Sequence, residues 1–308
     1  MAPVPLGGTE SIVAIDKKSG EIGAAVVSQS FSAGPQTIWA EQGVGVVVVQ
    51  GTVEPTYGPL GLALLKGGMT PAHALKSLLA TDPRPDVRQV MMMNSRGRVV
   101  AHSGKRCLPE SGCQVGRGFC VQANFVNAKS VWRAVAAAFR AGKGTLAERL
   151  VSALEAGARA SNGPRRGGGS RSAAVTVVST NHTNTPEEGR LVDLRVENSD
   201  APLRELRAAL KVKEAYELAA SGEDLLLRGE MAKAEREFAR AISLGQGSTE
   251  LRLRFALAML KAGEEKKGES LLKTVVGGGK DAKATLREMA VRGITGAPAK
   301  NKSSASQT

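Results

Sequence analysis

The stretch GVGVVVVQ, residues 43–50, restricts the fold more than any other part of the chain. Its β-branched residues favour an extended backbone, and it has no polar face to show to water. A strand of that kind is covered on both sides, so further layers must stack around it. The sequence up to about Arg195 supplies candidates. Residues 11–15 and 22–27 are short apolar strands joined through the turn-rich DKKSG. Residues 87–93 and 98–102 flank NSRG, a second hairpin signal, and residues 118–124, 173–179 and 191–196 read as further strands. Two helix pairs intervene. In YGPLGLALLKGGMTPAHALKSLLATDP one helix opens near Pro59 and another near Pro71, behind Thr70 as N-cap; residues 128–141 and 145–160 are amphipathic helices. This order suits an α+β fold with two sheets between helical layers.

After Pro202 the sequence carries helical patterns only. Gly229 and Gly263 lie thirty-four residues apart, which is the tetratricopeptide period. Ala234, Phe238 and Ala241 fall at the small, large and small positions of that repeat; shifted by one period they become Gly268, Leu272 and Val275, and Gly222 becomes Ala256. The segment resembles about two such repeats, residues 212–245 and 246–279, with 281–291 as a capping helix. The alternative is an unrelated helical hairpin. The expected domains are a leader at 1–8, a strand-bearing domain at 9–205, a small all-α repeat domain at 206–292, and a low-complexity, disordered tail at 293–308. A polar linker, residues 198–202, separates the two domains, and stacked repeats would recognise a protein partner or a second copy.

The net charge of +13 invites a nucleic-acid function. The basic excess is shared between the two halves without a long basic run, and two tyrosines and two tryptophans are too few for a stacking platform. A solvated basic surface is expected, and nucleic acid is not the expected partner. The three cysteines, Cys107, Cys113 and Cys120, contain no Cys-x-x-Cys pair, which argues against zinc. Cys107 and Cys113 would form a disulfide only in an exported protein; reduced thiols are the expectation. The leader MAPVPLGG lacks the parts of a secretory signal, and no stretch reaches the length of a membrane span, so a cytoplasmic protein without membrane contact is expected. Neither a metal cluster nor a nucleotide fingerprint is present, and no cofactor is implied.

Five separated motifs carry a family resemblance: TESIVAIDKKSGEIGAAVVS, EPTYGPLGLALL, RQVMMMNSRGRVVAHSG, GRGFCVQANFV and VDLRV. In this order they resemble the domain of unknown function 1028 family, over about residues 9–210. That family is similar in fold to the N-terminal-nucleophile hydrolases, which implies a four-layer αββα sandwich. It also implies that the bond before Thr9 is cut, so that the freed α-amine serves as base for the threonine hydroxyl. An α-amine with a pKa of about 8 can take that proton near neutrality. Thr9 is otherwise an ordinary first residue of a strand, and the eight residues before it are more than many relatives carry.

The resemblance implies roles for other residues. Ser28 and Gln29 stand where proteasome-like sites would have charges, which argues against proton handling of that kind; Ser28 either bonds the nucleophile or simply closes a strand. His102 matches a histidine common in the family and is either an acid–base group or a strand-end cap. Gln122 and Asn124 share a strand face. Asn124 is expected to stabilise an oxyanion and Gln122 to bind a polar substrate. Tyr57 either lines a substrate pocket or packs in a turn. Arg171 stands where relatives often have glutamine, and the loop 163–172 departs from the family. The expected function is an amidohydrolase acting on a small polar amide through Thr9. The alternative is a catalytically silent scaffold or binding protein.

Overall fold

The computed structural model describes residues 7–126, 128, 130–161 and 169–276. Most of the leader, much of the loop 163–172, the capping helix at 281–291 and the tail lie outside the described residues. Contacts divide the chain into two units, Met1–Leu210 and Lys211–Thr308.

The first unit holds two antiparallel sheets. The larger has six strands in the order β10 (Arg190–Val196), β9 (Ser172–Ser179), β2 (Glu21–Ser28), β1 (Thr9–Asp16), β8 (Phe119–Asn124), β7 (Gly112–Gly116). The smaller is a meander of β3 (Ile38–Glu41), β4 (Gly45–Gly51), β5 (Arg88–Asn94) and β6 (Val99–Ser103). β1 and β2 form the expected hairpin, its turn closed by Asp16 Oδ1 accepting from Lys18 N at 2.9 Å. The apolar run is β4, a central strand. Its odd valines, Val47 and Val49, pack with α2 (Tyr57–Lys66) and α3 (Pro71–Thr81), and its even ones, Val46 and Val48, pack with β1 and β2. A third apolar cluster joins the other face of the large sheet (Ile12, Ala25, Val121, Val175) to α4 (Ser130–Ala141) and α5 (Leu146–Ala160). Thr70 caps α3 by accepting from His73 N, and Thr145 with Glu148 closes a capping box on α5.

Besides a 3-10 turn at Pro85–Val87, the structure adds three elements to the expected set: the short helix α1 (Ala33–Thr37), β3 and β7. All three are five residues or shorter, and β3 and β7 lie at sheet edges, where one-sided pairing leaves little periodic pattern.

The helix α6 (Pro202–Leu227) supplies Leu206 and Leu210 to the core of the first unit and Ala215, Ala219 and Leu226 to that of the second. The second unit continues with α7 (Met231–Leu244), α8 (Thr249–Lys261) and α9 (Glu265–Val276). Ala234, Phe238 and Ala241 are buried there, and Phe238 stacks on Phe255 with ring centroids 4.3 Å apart. Among the described residues no helix is long and apolar enough to cross a membrane.

Candidate functional site

Thr9 opens β1, a central strand paired with β2 and β8, and is 8% exposed. Side chains alternate along a strand, so Thr9 and Ser11 share the face of Val13, which packs between the sheets. The same parity turns Ser28, Gln122 and Asn124 inward from the large sheet, and Gln50, Gln89 and Ser103 inward from the small one. Antiparallel pairing brings the starts of β1 and β5 beside the ends of β2, β4, β6 and β8. The inter-sheet space is thus apolar along most of its length and polar at one end, and Thr9 heads the polar end.

Burying an amide is costly unless it is bonded, and these form a connected set. Gln89 Nε2 donates to Ala123 O at 3.0 Å, Gly112 O at 3.3 Å and Ser103 Oγ at 3.0 Å. Gln89 Oε1 accepts from Gln50 Nε2 at 2.6 Å and from Asn124 Nδ2 at 3.0 Å. Gln50 Oε1 in turn accepts from Ser11 Oγ at 2.6 Å.

The peptide bond between Gly8 and Thr9 is held from several sides. Gly8 O accepts from Gln29 N at 3.0 Å and, at the longer 3.4 Å, from Ser28 Oγ; Gly8 N donates to Gln29 Oε1 at 2.5 Å. Thr9 Oγ1 lies 2.9 Å from Ser28 Oγ, which also accepts from Ser30 N at 3.1 Å. Glycine is required before Thr9: a Cβ on Gly8 would stand 2.6 Å from Phe125 O. Phe125 itself adopts a left-handed φ of 51°, a strained conformation for a bulky residue. Gly7, Thr9, Ser28, Gln36, Thr37 and Gln50 are among the residues around a cavity of about 20 Å³, which is room for about one water. None of its lining residues is ionisable.

The other expected residues lie elsewhere or face other partners. His102 follows the parity of Val100 and turns to the outer face of the small sheet, where its Nε2 lies 3.0 Å from Pro85 O; its ring is not beside Thr9. Gln122 spends its amide hydrogens on Val90 O (3.2 Å) and His102 O (2.8 Å), so it ties the two sheets together. Asn124 is beside Thr9; its Nδ2 donates one hydrogen to Gln89 Oε1, and its Oδ1 has no partner. An oxyanion would have to take the second Nδ2 hydrogen, since Oδ1 cannot donate. Arg171 bonds Asn198 Oδ1 at 2.6 and 2.9 Å.

Tyr57 belongs to a second polar cluster, under α2 and α3. Its hydroxyl donates to Asp82 Oδ2 at 2.9 Å, and it borders a pocket of about 250 Å³ with Glu54 and Asp82. Burial, then the bond to Asp82, raises the phenol well above its ordinary pKa. Asp82 also holds Arg88, whose side chain is 2% exposed, through bonds of 2.6 and 3.2 Å; Arg88 Nη1 reaches Thr52 O at 2.9 Å. The hydrogen bond from Arg88 lowers the Asp82 pKa from 3.8 to about 2. A carboxylate depressed in the folded state adds stability above its unfolded pKa, and that stability is lost as pH falls towards the folded value. Unfolding free energy should therefore drop by about 2 kcal/mol between pH 5 and pH 2 from this group. Urea titrations across that range check it, and Asp82→Asn should flatten the slope.

All three cysteines are free thiols, and burial raises Cys107 and Cys120 above the ordinary thiol pKa. No cluster of three or more metal-ligating side chains occurs among the described residues. Ser11, Gln50 and Gln89 are absent from the sequence-based set, and Gln29 entered it only as an uncharged neighbour of Ser28. The signal for Gln50 was there: it is the lone amide near the end of an otherwise apolar strand, whereas Gln89 shares β5 with the polar Arg88 and Asn94.

Two antiparallel sheets with a polar end between them, followed by a helical C-terminal part, define a mixed α/β protein. The family of unknown function DUF1028 matches residues 9–206, and the chain belongs to that family. It is also similar to the crystal structure of a protein from Silicibacter pomeroyi described by the same family. The identity is 27% and the TM-score 0.59, over 66% of this chain and 84% of that one. No curated protein matches the chain.

Proposed function

We propose that residues 9–205 form an N-terminal-nucleophile amidohydrolase that acts on a small polar amide once the residues before Thr9 are released. The observation that carries this is the bond between Gly8 and Thr9. Its carbonyl oxygen faces two donors, and a hydroxyl of the next residue sits in the same hydrogen-bonded group. Attack of Thr9 Oγ1 on the Gly8 carbonyl carbon would break the C–N bond and leave an ester, the proton ending on the freed nitrogen. Water then cleaves the ester, giving a Gly8 carboxylate and an α-amine on Thr9. Thr9 Oγ1 bonds another neutral alcohol, Ser28, and neither is a base near neutrality; the α-amine supplies one. In turnover Oγ1 bonds to the substrate's carbonyl carbon, and its proton passes through the amine to the departing nitrogen; water then frees the acid. A lining of neutral amides and hydroxyls suits an uncharged polar substrate. The succession of helix pair, large sheet, small sheet and helix pair through the three core clusters supports a four-layer αββα sandwich. The test is where the mature chain begins, with Thr9 as the expected first residue.

A silent scaffold is the second reading. It is favoured by the size of the cavity beside Thr9, which has room for about one water.

The second unit is read as about two tetratricopeptide repeats that bind a protein partner or a second copy. Gly229 and Gly263, one period apart, both follow helices with positive φ, 76° and 84°. Leu226, Leu227, Leu257 and Lys261 border a groove of about 370 Å³ there.

A further inference from the structure

Gln89 has no part in the proposed chemistry, yet it decides how the polar end of the inter-sheet space is arranged. Two backbone carbonyls, Ala123 O and Gly112 O, accept from its nitrogen. A carbonyl cannot donate, so the Gln89 amide has one allowed orientation, with Oε1 turned to Asn124 and Gln50. Oε1 in turn needs a donor, and of the two ends of the Asn124 amide only Nδ2 can donate, which fixes it towards Gln89. Asn124 Oδ1 is thereby committed as an acceptor. It is fully buried and has no partner. An unbonded buried carbonyl costs on the order of 1–3 kcal/mol, a cost that a missing donor would remove.

The geometry of β1 identifies that donor. Gly8 directs both its N–H and its C=O towards β2, to Gln29. Successive residues of a strand turn these groups to opposite sides, so the nitrogen of Thr9 faces β8. The residue opposite Thr9 on β8 is Asn124, and the two side chains share a face.

We propose that Asn124 Oδ1 is the acceptor for the α-amine of processed Thr9, and that Gln89 is the positioning residue that keeps an acceptor there. This rests on the amidohydrolase reading of the same site. The neutral amine has two hydrogens and one lone pair; one hydrogen on Oδ1 leaves the lone pair free to turn to Thr9 Oγ1. When the amine has taken the hydroxyl proton, Oδ1 also stabilises the ammonium. Loss of Gln89 lets the Asn124 amide turn over and present a donor, which opposes the ammonium and lowers the pKa of the amine.

The test uses the full chain, expressed without an N-terminal tag, and β-butyrolactone as probe. Thr9 Oγ1 attacks the lactone carbonyl, the ring C–O bond opens, and the hydroxyl proton passes by way of the amine to the released alkoxide. The adduct therefore gains the whole mass of the lactone, and its rate is followed by mass spectrometry from pH 5 to pH 10. Both Gln89→Met and Asn124→Ala should move the midpoint of the pH–rate curve down by about one unit and cut the plateau rate about tenfold. A purely structural role would lower the folded fraction and leave the midpoint in place. Should Gln89→Met fail to fold, Asn124→Ala decides, since it removes only a short side chain. Unchanged midpoints in processed variants of a processed wild type overturn the inference. So does a variant that keeps its leader, because before cleavage there is no amine to hold. Failure of the underlying reading looks different: the wild type itself keeps residues 1–8 or takes no adduct on Thr9.

Discussion

Thr9→Ala is expected to retain all eight leader residues and to lose acylation by a β-lactone, a fall on the order of 10⁶-fold for removal of a nucleophile. The fold should survive. The substitution deletes one hydrogen bond, to Ser28, whose oxygen keeps Ser30 N as a partner, at a cost of about 1 kcal/mol. Thr9→Ser keeps the hydroxyl and should keep processing at a reduced rate. Intact mass and far-ultraviolet circular dichroism of the three proteins separate chemistry from folding. A folded Thr9→Ala protein that loses its leader would show that another group cuts the bond.

Arg88→Met should destabilise the first unit by about 4 kcal/mol. The guanidinium is buried against Asp82, Thr52 O and, at 3.5 Å, Glu54. Removing it leaves the Asp82 carboxylate without its charge partner and the Thr52 carbonyl without that donor. Burying a charge is costly, and the pair's mutual attraction is what offsets that cost. The double variant Arg88→Met/Asp82→Leu removes both charges and should recover much of the loss. Urea unfolding measures all three, and a loss below 1 kcal/mol for Arg88→Met would mean that the pair is solvated in solution.

The strands around GVGVVVVQ, the two helix pairs and the all-helical C-terminal part were legible because each carries a strong periodic pattern. The edge strands β3 and β7 were not. β7 alternates half-buried and exposed residues, and β3 has four residues, none fully buried. The candidate site was legible where local chemistry marks it: two glycines before a threonine that opens a strand, and a strand-ending Ser28. Its amide network was not, because Gln50 comes beside Thr9, and Gln89 beside Gln50 and Asn124, only once six strand ends are brought together. His102 shows the converse. Its chemistry suits a site, but the parity of β6 turns it to the outer face, and parity depends on a register that the isolated motif does not reveal.

The central claim is that Thr9 becomes the first residue and the nucleophile of the mature protein. It is tested most directly by the mass of the untagged chain before and after treatment with β-butyrolactone, with fragmentation to locate the adduct. The account predicts a chain that has lost residues 1–8 and carries one lactone on Thr9. A chain that keeps those eight residues and still reacts at the same rate at any other side chain would contradict it.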